Sequence, residues 1–173
     1  MDLDELSISL INKQFSLNEV EDTGDRSPVI FSEDLVLDCI YDISRDVVSL
    51  MKIFLDNRHS NVFSKSKREK ALSLLHEVLC KTLLLIHLGE VDIPEIDEIV
   101  EYAESFPLDV QHDGVLSCMT ITSAISNFTM LYFDTEEITE DDYEQNMAEI
   151  LAAISMIAER FSSNVSEVAA KAY

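Results

Sequence analysis

Apolar residues in this chain recur at alternating intervals of three and four positions, the spacing that places side chains on one face of an α-helix. The longest such run has intervals of four, three, four, three and four, and consists of Val36, Ile40, Ile43, Val47, Leu50 and Phe54. A second run consists of Cys118, Ile121, Ile125, Phe128 and Tyr132. Both patterns are typical of helices that pack together in a bundle.

The scarcity of turn-forming residues strengthens this prediction, because the 173-residue chain contains only 3 glycines and 3 prolines. Few positions therefore favour the tight turns of β-hairpins. We predict an all-α protein, a single irregular bundle of about six or seven helices that occupies residues 1–173 as one domain. Its first helix is expected over residues 3–14. Gly24 and Pro28 then mark a predicted mobile loop at residues 16–31.

The helix predicted to begin at Asp113-Gly114 carries no charged residue between Val115 and Phe133. A helix that is apolar on every side is usually buried. We therefore expect this helix to be the most buried element of the bundle. A further helix is expected to begin at Thr139, which with Asp142 resembles a capping box.

Cys39, Cys80 and Cys118 each lie inside an apolar run, and their spacing matches neither a disulfide framework nor a zinc knuckle. We interpret them as reduced core residues. The N-terminal segment carries acids where a secretory signal needs positive charge. The longest strongly apolar stretch, residues 82–88, is far shorter than the roughly 20 residues that span a bilayer. These features predict a cytoplasmic protein without a transmembrane segment.

The charge of the chain limits its partners. It has 34 acidic and 12 basic residues, a net charge of −22, which exceeds the magnitude of roughly 2–8 that keeps a small domain soluble. A surface this negative repels nucleic acid and anionic lipid. We therefore predict a basic protein as the partner, with no direct nucleic-acid binding and no membrane binding.

The acids are concentrated in the second half of the chain, where 18 lie between Thr82 and Glu159 without a single Lys or Arg. On the helix predicted at residues 94–106, like charges at helical spacing destabilise an isolated helix by roughly 0.2–0.5 kcal/mol per pair, so stability does not explain that arrangement. The helix dipole partly explains Glu140, Asp141 and Asp142. One interpretation is that these acids bind a partner, and the alternative is that they form solvated helix faces. The predicted partner-binding residues, with the two tyrosines as exposed anchors, are Asp97, Glu98, Glu101, Tyr102, Glu104, Glu137, Glu140, Asp141, Tyr143 and Glu144.

A basic cluster, Lys65, Lys67, Arg68 and Lys70, lies at the predicted start of a helix. Positive charge is unfavourable at that end of a helix dipole, so we expect acidic groups of the same chain nearby. A phosphate site is the alternative, although no glycine-rich turn accompanies the cluster.

Three partial signatures for metal chemistry are incomplete. Residues 109–114 begin like a calcium loop, but Thr120 occupies the position that requires Glu. His112 and Asp113 match the dipeptide of the HD phosphohydrolases in two residues only. His76 and His87 share a helix face with Cys80 but lie about 16.5 Å apart along the axis, too far to share one ion. We predict no metal, no cofactor and no catalytic residue.

The acidic runs at residues 92–104 and 134–144, together with the predicted cytoplasmic location, resemble small acidic helical bacterial immunity proteins. Those proteins neutralise nuclease toxins of contact-dependent growth inhibition and related systems. The resemblance implies an antitoxin, not an enzyme, that occludes the active site of a basic nuclease. Alternatives are a viral DNA mimic that inhibits a host defence enzyme, a scaffold with an acidic docking face, and a metal-dependent all-α nucleotide phosphohydrolase that uses Glu98, Glu101 and Glu104.

Overall fold

The computed structural model describes residues 2–21, 33–60, 62–134 and 138–170, with side chains at 2–13 and from 35 onward within these ranges. The described residues contain no strand. Their eight helices are α1 (Leu3–Glu21), α2 (Glu33–Asp56), α3 (Lys65–Leu88), α4 (Ile96–Glu104), α5 (Leu108–His112), α6 (Gly114–Phe133), α7 (Glu140–Arg160) and α8 (Val165–Ala169). The predicted all-α bundle is confirmed.

Four long helices form the centre of the bundle. α2 packs on α3, α3 on α7, α7 on α6, and α6 on α2, which closes a ring. α1 and α8 pack on the outside of α3, while α4 and α5 pack against α7 and α6. α7 is the most enclosed of the four, because every residue from Ile150 to Ala158 is buried. Its alanines and aliphatic residues leave no polar face over this stretch, which is typical of a central helix.

Polar side chains begin several helices where the sequence predicts them. The Asp113 carboxylate accepts hydrogen bonds from the backbone N–H groups of Val115 and Leu116, at 2.8 and 3.1 Å. The Thr139 hydroxyl accepts one from the backbone of Asp142 at 3.1 Å. Such caps satisfy donors that have no partner inside the helix. The predicted helix starts at Asp113 and Thr139 are thereby confirmed.

The structure differs from the prediction at two helices. α1 extends to Glu21, so residues 16–21 of the predicted loop are helical, and residues 22–31 lie outside the described part of the chain. The short helix α5 was not predicted. Its five residues are too few to show a helical period in the sequence.

The prediction that α6 is the most buried helix is wrong. Only one face of α6 is buried, with Cys118, Ile121 and Phe128 at its centre. The opposite face is exposed and carries hydroxyl, amide and thioether groups, including Thr122, Asn127 and Met130. Uncharged polar side chains are solvated readily, so the absence of charge along α6 did not indicate burial.

α3 and α6 are long and apolar enough by composition to cross a membrane, with mean hydropathies of 1.6 and 1.3 over their most apolar windows. Of these windows, 67% and 39% are buried inside the fold. A core helix has the same composition as a membrane span. The cytoplasmic location therefore stays a prediction.

The three cysteines are buried and unpaired, as predicted. Burial raises the pKa of the Cys39 thiol to about 11 and those of Cys80 and Cys118 to about 12. The Nδ1 atom of His76 lies 2.7 Å from the carbonyl oxygen of Val168 and must donate to it, so Nε2 accepts the Cys80 thiol hydrogen at 3.2 Å. His76 therefore joins α3 to α8, while Cys80 contacts the other ring nitrogen of His76 from within α3.

The unequal burial along α6 gives a direct test of the packing. Phe128→Ala empties a fully buried site, so it should lower the free energy of unfolding by roughly 3–5 kcal/mol. Met119→Ala on the same helix changes a side chain that is 53% exposed and should cost less than about 0.5 kcal/mol. Urea unfolding followed by circular dichroism measures both. Equal decreases in the free energy of unfolding for the two variants would contradict the placement of α6.

Candidate acidic binding surface

The packing of α4 on α7 brings the two acidic clusters of the sequence together. Glu98 of α4 and Glu144 of α7 line one cleft, which has a volume of about 360 Å³ and also contains Asp92. Apolar groups form the rest of its lining: Val91, Ile93, Pro94, Met147 and Ala148. The cleft therefore has carboxylates at its rim and an apolar lining.

A second cleft, of about 220 Å³, shares the lining residues Ile93 and Pro94 with the first. The N-terminus of α1 supplies its Asp2 and Asp4, and Glu95 and Asp97 complete its acidic lining. We call the acids of the two clefts the acidic surface: Asp2, Asp4, Asp92, Glu95, Asp97, Glu98 and Glu144. It draws its residues from three separate parts of the chain.

The predicted site residues fall into three groups. Asp97, Glu98 and Glu144 belong to the acidic surface. Four more are exposed on α4 or the first turn of α7 without lining a cleft, and these are Glu101, Glu104, Glu140 and Asp141. Glu137 lies outside the described residues. Sequence reasoning missed Asp2, Asp4, Asp92 and Glu95 as members of the site. Asp92 and Glu95 lie within the acidic run at residues 92–104, whereas tertiary packing brings Asp2 and Asp4 to the cleft that Glu95 and Asp97 also line.

Some of these acids have a structural role. The Glu98 carboxylate accepts a hydrogen bond from the backbone N–H of Glu95 at 3.0 Å, which satisfies a free donor at the start of α4. Asp97 and Glu140 lie in first helical turns, where the helix dipole favours negative charge. Stability therefore contributes to the acids in the first turn of α4, where none was expected, and to Glu140, where a dipole contribution was expected. Glu101, Glu104 and Glu144 lie beyond the first turns and gain no such support.

The acidic surface lacks basic residues of its own. Within the described ranges, the ion pairs join Arg45 to Asp42 and Asp46, Lys65 to Glu69, and Lys81 to Asp42. None of these pairs includes an acid of the two clefts. Its carboxylates therefore have no basic side chain within ion-pair distance in these ranges.

Tyr102 links the two helices that carry the acids. Its ring is partly buried and packs edge-on against Phe106, with ring centres 5.4 Å apart. Its hydroxyl accepts a hydrogen bond from the Gln145 side-chain amide at 2.7 Å. Tyr102 therefore holds α4 against α7 while part of its side chain stays accessible to a partner.

The choice of Tyr143 as an exposed anchor is wrong. Tyr143 is 6% exposed, and its hydroxyl donates to the backbone carbonyl of Leu85 on α3. Its ring packs edge-on against Phe128, with centres 4.9 Å apart. Burial, and to a smaller extent its neighbours Tyr132 and Cys39, raises the pKa of Tyr143. Tyr143 is a core residue that joins α7 to α3 and α6.

The basic cluster at the start of α3 also differs from expectation. The Nε atom of Arg68 donates to the carbonyl oxygen of Phe161 at 2.7 Å, which ties the beginning of α3 to the end of α7. Lys67 donates to the Asn57 side chain at 3.2 Å. The nearby acid is Glu69, 3.9 Å from the Lys65 amine and on the same helix. The cluster therefore pairs with carbonyl and amide oxygens more than with the acidic half of the chain.

The clefts are not built as a metal centre. Among the residues that the structure describes, no three His, Cys, Asp or Glu side chains are close enough together to hold one ion. No protein-family model, curated protein or solved structure matches this chain.

Proposed function

We propose that this protein is an acidic inhibitor, an immunity protein that neutralises a basic nuclease toxin by covering its active site. The observation that carries the proposal is the cleft between α4 and α7, where Glu98 and Glu144 flank an apolar lining. Its acids have no Lys or Arg partner in the described part of the chain. A cationic surface from another molecule would supply the missing charge.

The shape of the cleft fits a long basic side chain. Lys and Arg have apolar stems and charged ends, so a stem can lie against Met147 and Val91 while its charged end meets Glu98 or Glu144. Charge-assisted hydrogen bonds of this kind are roughly twice as strong as neutral ones. A nuclease holds phosphate with such side chains, and their capture by carboxylates excludes the substrate.

The wider distribution of acids favours fast association. Asp2 and Asp4 extend the negative region beyond α4, and Glu101 and Glu104 extend it along α4. A negative field of this size steers a cationic partner and can raise association rates to about 10⁸–10⁹ M⁻¹s⁻¹ at low salt. Tyr102, partly accessible beside these acids, is the proposed anchor at the centre of the interface.

Neutralisation of the cleft tests the proposed binding site. The partner is first isolated as a protein that co-purifies at low salt and elutes at high salt. The Glu98→Gln/Glu144→Gln double variant keeps an acceptor for the Glu95 N–H, yet it should weaken binding at least about tenfold, or 1.4 kcal/mol. A matched control, Glu77→Gln/Glu159→Gln, removes two exposed acids outside both clefts and should bind nearly as tightly as wild type.

Calorimetry at two salt concentrations measures both affinities. Equal weakening by the two double variants would show that net charge, not the cleft, binds the partner. A partner without nuclease activity, or a nuclease that keeps its activity when bound, would contradict the inhibitor proposal. Several unrelated DNA-binding partners in place of one nuclease would favour the DNA mimic.

Ligand-linked stability separates the inhibitor from the phosphohydrolase alternative. A protein gains stability from any ligand that binds only its folded state. We expect Mg²⁺ or Mn²⁺, with and without nucleotides, to leave the melting temperature unchanged, and the isolated nuclease partner to raise it. Differential scanning fluorimetry measures these shifts. A rise with metal and nucleotide that Glu98→Gln abolishes would favour the enzyme.

A further inference from the structure

The outer face of α2 carries an apolar stripe that the bundle does not cover. Leu37, Tyr41, Val48 and Leu55 are 45%, 66%, 63% and 45% exposed. The half-buried Ser44 and Met51 fill the gaps between them, which gives intervals of four, three, four, three and four. This is the spacing with which one helix packs along another in a coiled coil.

The stripe is separate from the face that α2 buries. Ile43, Val47 and Leu50 are fully buried in the core. At 100° per residue, Val48 lies about 140° around the helix from Ile43. The fold of one chain therefore buries one face of α2 and leaves the stripe on another face exposed.

The charges beside the stripe are arranged at seven-residue intervals, with Asp38, Arg45 and Lys52 along one edge. Arg45 binds Asp42 and Asp46, each at 3.0 Å, and lies over the ring of Tyr41. Asp38 and Lys52 are exposed and have no ion pair with any residue in the described ranges. An acid therefore stands near one end of the edge and a base near the other.

We propose that the stripe is the interface of a symmetric dimer in which α2 of one copy packs antiparallel on α2 of a second copy. When the two stripes are aligned over their full length, Leu37 lies opposite Leu55 of the second copy, and Ser44 lies opposite Val48 of the second copy. The same register places Asp38 beside Lys52 of the second copy, twice over, because a two-fold axis repeats every contact. At the middle of the edge it places Arg45 beside Arg45 of the second copy, where Asp42 and Asp46 of the same chain offset each positive charge. The two ends of the edge are thus complementary to each other.

Charge also selects a second copy as the occupant and this face as the place of contact. Two chains of net charge −22 repel each other, and repulsion is smallest where the surface carries few acids. The stripe has Arg45 and Lys52 at its edge. The neighbouring helix α6 has no charged residue to oppose the contact.

The dimer leaves the acidic surface free. α2 packs on α3 and α6, whereas α4 packs on α7, so the stripe and the acidic surface belong to different helices of the bundle. The inference does not rest on the proposed function. A dimeric inhibitor would present two acidic surfaces.

The molar mass of the purified full-length chain tests the dimer. Sedimentation velocity over a concentration series should give twice the 19.6 kDa of one chain. Val48→Glu puts a charge at the centre of the stripe and should return the mass to that of one chain. Val62→Glu adds the same charge at a residue that is 78% exposed outside the stripe and should stay dimeric. A wild-type monomer, or a dimer that survives Val48→Glu, overturns the proposal.

Charge exchange tests the antiparallel register and does not depend on Val48→Glu folding well. Asp38→Lys and Lys52→Asp each place like charges together across the axis, so each should weaken the dimer about tenfold. The double variant restores opposite charges and should return its dissociation constant to within about threefold of wild type. Additive losses in the double variant overturn the register.

The effect of salt distinguishes dimerisation from the proposed binding of a basic partner. Added salt screens the repulsion between two acidic copies, so the dimer should tighten. It also screens the attraction of a basic partner, so that binding should weaken. A dimer that dissociates on addition of salt would mean that the Asp38–Lys52 pairs, not the apolar stripe, hold the copies together, and it would contradict the proposed interface whatever the partner does.

Discussion

The architecture depends on the complete burial of the middle of α7. Every residue from Ile150 to Ala158 is buried, and α3, α4, α6 and α8 all pack against this helix. Its N-terminal turn emerges from that core, with Glu140, Asp141 and Asp142 exposed. Because α4 packs on α7, the acids of α4 lie beside those of α7, and Glu98 and Glu144 line the same cleft. The element that holds the bundle together thus also positions the acidic surface.

Stability and binding make opposite demands on the acids. Glu98 stabilises the start of α4 through its hydrogen bond to Glu95, and the dipoles of α4 and α7 favour Asp97 and Glu140. Glu101 and Glu144 have no comparable support, and no ion pair within the described ranges offsets the cleft acids. A surface that repels itself lowers the stability of the folded state. The acidic surface nevertheless lies beside a well-packed core. A cationic partner that offsets its charge is the physical reason we propose for its presence.

Much of the fold could be predicted from the sequence, because helical spacing and capping residues are local signals. The starts at Asp113 and Thr139 follow from their own side chains. The failures have two causes. Tyr143 shares its spacing with Met147 and Ile150, which indicates a core position, whereas its acidic neighbours in the sequence suggest an exposed one. The lack of charge on α6 suggests burial, but hydroxyl and amide groups are also solvated readily. The approach of Asp2 to Asp97 depends on tertiary packing that no local pattern encodes.

The salt dependence of stability tests the central claim, that the carboxylates of the acidic surface have no basic partner within the described part of the chain. The free energy of unfolding is measured with urea, which is uncharged, at salt concentrations from about 0.01 to 0.1 M, over which the Debye length falls from about 30 to about 10 Å. Screening of net repulsion predicts that stability rises over this range. A fall in stability would mean that attractive pairs within the chain dominate, and the acids would then be structural, with no surplus charge kept for a partner.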